Sequence, residues 1–368
     1  MKRSAREVHA SGALLGLAIG EALARGPTRE RTVDDDAGAT DTSHEPRNRV
    51  HGAMTTWTLT VIDALLYRAP QSDLAADLSL RLCALVHPLD GAALRGRART
   101  LSGDLRRVAL ALQRGDDRRL CGVDVVSAAG MVGALPFALA LSDDDDAVAS
   151  AIGDVVGLTH RNPRVVSAAA LLAGGLRHRL RAPLADGDDV LEAAASFAQE
   201  TLRTLRASRR GTTLGGTSEA EGALMLALAA GRGARDPREV LPPPGYDGRD
   251  APEHVALAAL HGSFADATTL LDVVDERLKA EGDCDVVVPL LLGAYGAARG
   301  ADHLPLSLVG ALATRPLVVA RAAALYEPRP PRLPPLVVEE LRLSAWEAAS
   351  SPAPPPLGAA PSRRGTQL

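Results

Sequence analysis

The sequence predicts an all-α protein, and three observations lead to this prediction. Ala and Leu are the dominant residues, and both favour helices. Alternating runs of β-branched residues are sparse, and tight Asn-Gly hairpins are missing from the sequence. Ser, Thr, Asp and Pro recur at the beginnings of apolar segments, where helix N-termini prefer them. We therefore expect a globule of many packed helices rather than a simple four-helix bundle.

The predicted helices follow one another along most of the chain. Their starts fall near Ser11, Thr56, Asp73, Asp124, Asp144, Pro163, Asp189, Ser218, Pro252, Ser263 and Asp285. The first helix carries Gly12, Gly16 and Gly20 at every fourth position, and we interpret these glycines as a surface for close helix packing. The long uncharged segment 125–142 contains two glycines and a proline, which favours a buried core helix over a membrane span.

The composition argues against several classes of partner. Of the 368 residues, 46% are hydrophobic and only 2% are aromatic, so the core must be built from small aliphatic contacts. The net charge is −4 with acidic and basic residues interspersed, and we expect no nucleic acid and no membrane as partners. The three cysteines are far apart and fit neither a zinc site nor a disulfide framework. A reducing cytoplasmic location is therefore predicted.

The domain organisation is predicted from a change in composition near Glu327. Residues 8–326 are expected to form one helical domain. Residues 327–368 are rich in proline and are predicted to be a largely disordered tail. Within this tail, residues 336–349 could form one amphipathic helix with Trp346 on its apolar side. The tail is also the predicted contact for a protein partner.

A pair of carboxylates opens the predicted helix near residue 285. Asp283 and Asp285 lie two positions apart at the N-terminus of a long, predicted uncharged helix. Two ionised carboxylates at such a short separation repel each other unless a cation or a hydrogen-bond donor compensates their charge. Carboxylate oxygens are ligands that suit Mg²⁺. Alternatively, these residues cap a helix N-terminus and complement its dipole. The spacing alone leaves both interpretations open.

Five segments, in chain order, resemble motifs of the ADP-ribosylglycohydrolase family. Residues 282–285 resemble the family's Gly-Gly-Asp-Thr-Asp-Thr motif, which supplies ligands for one half of a two-magnesium site. The other four matches are the opening helix at 12–23, the Leu-Thr-His-x-x-Pro turn at 158–163, the Glu-Glu-Ala-Leu helix start at 216–224 and the Ile-Pro pair at 304–305. The resemblance runs from about residue 12 to residue 312.

The resemblance implies a fold, a ligand and a reaction. It implies the all-α ADP-ribosylglycohydrolase fold, a pocket for ADP-ribose or an ADP-ribosylated substrate, and magnesium-aided hydrolysis of a glycosidic bond to ADP-ribose. It assigns metal ligation to Asp283 and Asp285, with Thr55 as a further candidate. Glu21 stands where the family has Asp, and it is either a site residue or a polar residue at a helix end. His160 is either a general base or part of a structural turn.

The departures from the family pattern bear on activity. The family's Thr-Asp-Asp-Thr motif falls on residues 52–55, which read Gly-Ala-Met-Thr, so both carboxylates are gone. Val286 replaces the final Thr of the last motif. The acidic loop residues 40–42, which read Thr-Asp-Thr, are interpreted as solvated rather than as a replacement. Magnesium binding is expected to be weak or absent.

Two functions remain open on the sequence. The first is a divergent ADP-ribosylglycohydrolase that uses one metal ion or none. The second is a pseudoenzyme that binds an ADP-ribose-type ligand or acts as a regulatory or scaffold module.

Overall fold

The protein is described by a computed structural model that covers residues 4–25, 50–69, 71–86, 101–140, 144–207, 216–243, 250–280 and 284–350. This part of the chain is all-α and holds no strand, which confirms the predicted fold class. The α-helices are α1 Ala5–Ala24, α2 Ala53–Tyr67, α3 Leu74–Val86, α4 Gly103–Gln113, α5 Leu135–Ala140, α6 Asp145–Thr159, α7 Pro163–Arg181, α8 Gly187–Ala207, α9 Thr217–Gly231, α10 Pro252–Phe264, α11 Ala267–Lys279, α12 Cys284–Arg299, α13 Leu306–Ala311, α14 Arg315–Ala324 and α15 Leu336–Ser350. Three 3₁₀ helices span Ala128–Ala134, Pro237–Glu239 and Ala301–His303.

Several predicted helix starts are confirmed by their caps. Helices α7 and α10 begin at Pro163 and Pro252, as expected for proline in a first turn. The Asp144 side chain accepts a hydrogen bond from the Ala147 N–H and caps α6. The prediction near Ser11 was wrong, because Ser4 caps the Glu7 N–H and lets α1 begin at Ala5.

Two other predictions need correction. Ser263 lies inside α10, and α11 begins only at Ala267, because the Asp266 side chain caps the N–H of Thr269. The segment 125–142 is not one continuous helix: the 3₁₀ helix Ala128–Ala134 precedes the short α5. Helix α4 has no counterpart among the predicted starts.

The glycines of α1 form a close helix contact with α12. A Cβ atom on Gly12 would lie 2.1 Å from the carbonyl oxygen of Gly296, and one on Gly16 would lie 2.0 Å from that of Leu292. Both distances are far below any real carbon–oxygen contact, so α1 and α12 meet backbone to backbone. The pairing of early α1 residues with late α12 residues makes the two helices antiparallel. The interpretation of these glycines as a packing surface is confirmed.

This antiparallel packing places the C-terminal end of α1 beside the N-terminal end of α12. Gly20 lies against Pro289, where a Cβ atom would approach the proline Cα to 2.4 Å. One turn further, the Cys284 thiol lies 4.0 Å from the carbonyl oxygen of Ala24. Residues that follow Gly20 on α1 and residues that precede Pro289 on α12 are therefore held at the same end of the pair.

The C-terminal segment packs along α2. The Tyr67 hydroxyl donates to the Pro331 carbonyl at 2.7 Å. The Arg321 guanidinium donates to both carboxylate oxygens of Asp63 at 2.8 and 3.1 Å, and to the Pro334 carbonyl at 3.0 Å. Helix α15 confirms the helix predicted for residues 336–349. The side chain of Trp346 and residues 351–368 lie outside the described part, and the domain boundary at 326 stays a prediction.

None of the described helices is both long enough and apolar enough to cross a membrane.

The substitution Gly16→Ala tests the contact between α1 and α12. The added methyl group would collide with the Leu292 backbone, so we expect the free energy of unfolding to fall by about 1–3 kcal/mol or more. Gly222→Ala is the matched control, because it lies inside α9 with no atom within 4 Å of the new Cβ. There we expect a gain of about 0.5–1 kcal/mol from higher helix propensity. Denaturant titration of both variants gives the comparison, and equal effects would contradict the packing argument.

Candidate functional site

Three helix ends meet at one corner of the molecule. We call it the α1/α2/α12 corner and define it by residues 21–25 at the end of α1, 51–56 at the start of α2, and 284–285 at the start of α12. The contact of α1 with α12 is the glycine contact described above, and α1 reaches α2 through the Glu21 side chain. The corner contains Thr55 and Asp285, two of the three residues that the resemblance makes candidate metal ligands.

The Glu21 carboxylate caps the N-terminus of α2. It is 4% exposed. Its Oε2 accepts the backbone N–H groups of Gly52 and Thr55, both at 2.9 Å, and its Oε1 accepts that of Met54 at 2.8 Å. Gly52 is the N-cap residue of α2 and has no side chain with which to cap it. Glu21 therefore supplies, from a neighbouring helix, the acceptor that an N-cap residue ordinarily supplies itself.

An arginine covers the outer side of this cap. The Arg25 Nη2 lies 3.8 Å from the Glu21 Oε1, and its Nη1 donates to the His51 carbonyl oxygen at 3.2 Å. A Cβ atom on Gly52 would lie only 1.6 Å from the Arg25 Nη2. The φ of Gly52 is −123°, so any residue could adopt its backbone conformation. Glycine is needed here to leave room for the guanidinium.

A second carboxylate reaches the corner from α15. The His51 Nε2 lies 2.9 Å from the Glu340 Oε1, and the Thr56 hydroxyl lies 3.2 Å from the same oxygen and 2.9 Å from the Gly52 carbonyl oxygen. His51, Thr56 and Glu340 are all buried. Because His51 and Glu340 are far apart along the chain, no local signal in the sequence indicates this contact.

The structure brings two of the predicted site residues together. Thr55 is fully buried next to Glu21, and its hydroxyl has no hydrogen-bond partner within the described ranges. Asp285 lies in the first turn of α12 and is exposed, whereas Asp283 and the acidic loop 40–42 lie outside the described residues. The predicted metal ligation by Thr55, Asp283 and Asp285 stays a prediction.

The corner does not fit a resident magnesium ion on the residues that are described. The four carboxylate acceptor positions of Glu21 already serve three backbone donors, with Arg25 alongside. Over the part of the chain that the structure describes, no three His, Cys, Asp or Glu side chains are grouped to hold a metal ion. Mg²⁺ requires several hard oxygen ligands in octahedral geometry, and this arrangement offers a helix cap instead.

His160 is a buried residue that links three segments. Its Nδ1 lies 3.1 Å from the Thr159 hydroxyl, and its Nε2 lies 3.6 Å from the Asp104 carboxylate on α4. The second distance is too long for a hydrogen bond, and the buried Nε2 has no hydrogen-bond partner among the described residues. A Cβ atom on Gly130 would touch the imidazole ring at 2.7 Å. These contacts describe a packed turn, and the catalytic role of His160 stays a prediction.

The geometry defines an all-α protein with polar groups gathered where α1, α2 and α12 meet. A family model described as ADP-ribosylglycohydrolase matches residues 2–334. The chain therefore belongs to the ADP-ribosylglycohydrolase family, which confirms the resemblance.

A solved structure shows the same fold. It is titled "ADP-ribosylglycohydrolase-related protein complex" and is 20% identical in sequence, with a TM-score of 0.55. The similarity covers 87% of this chain and 98% of that chain. The curated protein sequences contain no match to this chain.

The substitution Glu340→Ala tests the contact of α15 with the corner. It leaves the buried His51 and Thr56 side chains without their carboxylate partner, so we expect a loss of about 1–3 kcal/mol in the free energy of unfolding. Faster amide hydrogen exchange should appear in α15 and around residues 51–56. The matched control is Glu339→Ala, because the neighbouring carboxylate pairs with the exposed Arg342. The contact is unimportant if both variants behave alike.

The pair of Asp104 and His160 predicts a pH dependence of stability. His160, followed by Arg107, holds the pKa of Asp104 below its ordinary value of 3.8, against the opposing effect of burial. A carboxyl group whose pKa is lower in the folded state stabilises the fold above the unfolded pKa and loses this contribution as the pH falls through the folded pKa. Wild type should therefore be more stable than Asp104→Asn at neutral pH, and the difference should shrink below about pH 3.8. Melting curves across this range check it, and a difference that grows with acid would contradict it.

Proposed function

We propose that this chain is a non-hydrolytic member of the ADP-ribosylglycohydrolase family that binds an ADP-ribose-type ligand. One observation carries the proposal: the Glu21 carboxylate, the acidic group that α1 brings to the corner, is bound by three backbone N–H groups of α2. In this role it stabilises the start of a helix and has little capacity left for a metal ion or a proton transfer.

The residues around Glu21 support the same proposal. Positions 52–55, where the family carries two carboxylates, are Gly, Ala, Met and Thr. A two-metal site activates water only when enough hard ligands hold both ions. Asp285 and Asp283 together could hold at most one ion weakly, so we propose that magnesium binding is weak or absent. A titration that gives nanomolar or low-micromolar Mg²⁺ or Mn²⁺ affinity would contradict this.

Calorimetric titration of ADP-ribose into the full chain tests the proposed ligand. It is run once with Mg²⁺ and once with chelator, and a parallel assay follows release of ADP-ribose from an ADP-ribosylated substrate. We expect binding that survives the chelator and no release. Binding that requires Mg²⁺, or measurable release, would favour the divergent hydrolase, for which the exposed Asp285 carboxylate beside the corner is the supporting observation. Lack of binding in both conditions would contradict the ligand.

Restoring the missing carboxylates tests whether their loss explains the inactivity. The triple variant Ala53→Asp, Met54→Asp, Val286→Thr returns the family's side chains to α2 and α12. The control variant carries Asn in place of both new Asp residues, so that it matches them in size but not in charge. Release of ADP-ribose by the Asp variant alone would support the proposal, and release by the unaltered chain would refute it.

Two further expectations complete the proposed function. A protein partner is proposed to bind the proline-rich tail, and truncation after residue 350 tests this while it keeps α15 and its contact with the corner. If the truncated chain retains all partners, the tail is not the contact. We also propose a cytoplasmic location, which suits three cysteines that form no disulfide in the described part of the chain.

A further inference from the structure

We infer that the α1/α2/α12 corner is a guanidinium site and that the Arg25 side chain is its built-in occupant. In this arrangement an organic cation from the chain itself takes the place of a metal ion at the end of α1. The inference rests on the contacts of Arg25 and does not depend on ADP-ribose binding.

The negative charges at the corner favour the binding of a cation. Glu21 brings a nearly buried carboxylate, and a buried charge is costly unless it is paired and hydrogen-bonded. Helix α1 ends at Ala24, so the negative end of its dipole points at the same place. Arg25 is the C-cap residue of α1 and lies four positions after Glu21, which brings its side chain back over the carboxylate. Asp285 adds a further negative charge at the start of α12.

The shape of the corner selects a planar cation. Two of the guanidinium nitrogens face different oxygens: Nη1 donates to the His51 carbonyl and Nη2 lies near the Glu21 Oε1. The flat group lies against Gly52, in the volume that any other side chain would occupy. A guanidinium offers rigid donors in one plane, whereas an ammonium group is a compact point charge. Among the described residues, the oxygens that the guanidinium faces are the His51 carbonyl oxygen and the Glu21 Oε1, and two oxygens do not make the octahedral shell that Mg²⁺ requires.

Arg25 and Gly52 therefore depend on each other. The atoms that a Gly52 Cβ would meet are the far end of a flexible side chain, so an alanine at this position would displace the guanidinium and leave the α2 backbone where it is. Arg25→Ala removes the guanidinium itself and so leaves the same site without its cation. The two substitutions should have the same physical result, which makes the inference testable without any ligand assay.

The first experiment removes the Arg25 guanidinium by mutation and then adds free guanidinium ions to the variant. Arg25→Ala should lower the melting temperature by roughly 1–3 °C, as for a partly exposed ion pair in a chain of this size. Guanidinium or methylguanidinium at tens of millimolar should then raise the melting temperature of this variant relative to wild type in the same salt, by mass action. The same salts should not raise that of wild type or of Arg342→Ala, which removes an exposed arginine with a similar carboxylate partner. Arg25→Lys should recover less than half of the loss.

Three outcomes would overturn the inference. The first is an equal response of all variants to guanidinium salts. The second is restoration of the Arg25→Ala variant by Mg²⁺ or Mn²⁺ at least as well as by guanidinium, which would mean that the corner selects a metal. The third is full recovery in Arg25→Lys, which would mean that charge alone matters.

The second experiment is a double-mutant cycle between the two partners. We expect Gly52→Ala to lower the melting temperature and to abolish the further effect of Arg25→Ala, because the guanidinium has already left. Gly103→Ala at the start of α4 is the control, because no atom lies within 4 Å of its new Cβ. With that control the effect of Arg25→Ala should be unchanged. Additive effects of Gly52→Ala and Arg25→Ala would show that the guanidinium does not use the space over Gly52.

Discussion

The backbone contact between α1 and α12 is the constraint on which the rest of the corner depends. Three glycines spaced by one helical turn let the two helices approach until peptide groups touch, and any larger residue would separate them. Close approach fixes the rotation and the axial position of α1, because its glycines must face the α12 backbone. Glu21 comes directly after Gly20, so its position is set by this packing rather than by its own side-chain freedom. The capping of α2 follows from that placement.

Around this cap, polar groups from distant parts of the chain form hydrogen bonds and ion pairs with one another. Glu21 accepts hydrogen bonds from N–H groups at the start of α2, and the Arg25 guanidinium lies near the same carboxylate. The Glu340 carboxylate contacts His51 and Thr56. A motif with two carboxylates at the start of α2 would bring like charges together and require a cation. Here the single carboxylate on α1 faces donors instead. Residues 52–55 contain no acidic side chain, so no like charge opposes the Glu21 carboxylate where it caps α2.

The C-terminal segment extends this arrangement along α2. Asp63 and Arg321 form a buried ion pair in which burial raises the pKa of Asp63 and the guanidinium opposes that effect. Arg321 also binds the Pro334 carbonyl and so anchors the chain just before α15. A buried ion pair of this kind contributes little net stability, because both charges lose their hydration on burial. It does favour the one packing of α2 against α14 in which the two charges meet, since either charge would be costly to bury alone. The match to the family model ends at residue 334, and α15 adds a helix beyond it.

The sequence by itself determined the all-α class, the family, the glycine face of α1 and most helix starts, because these depend on local spacing and on residues a few positions apart. It also named Glu21 and Thr55 as candidate site residues, and the structure places them in contact. Only the tertiary structure decided that Glu21 caps α2, that Arg25 covers it and that Glu340 reaches His51. The Glu21 to Arg25 spacing was a usable local signal, but the others were not. Hydrogen bonds between residues far apart in the chain depend on how helices pack, and helix propensities carry no information about that.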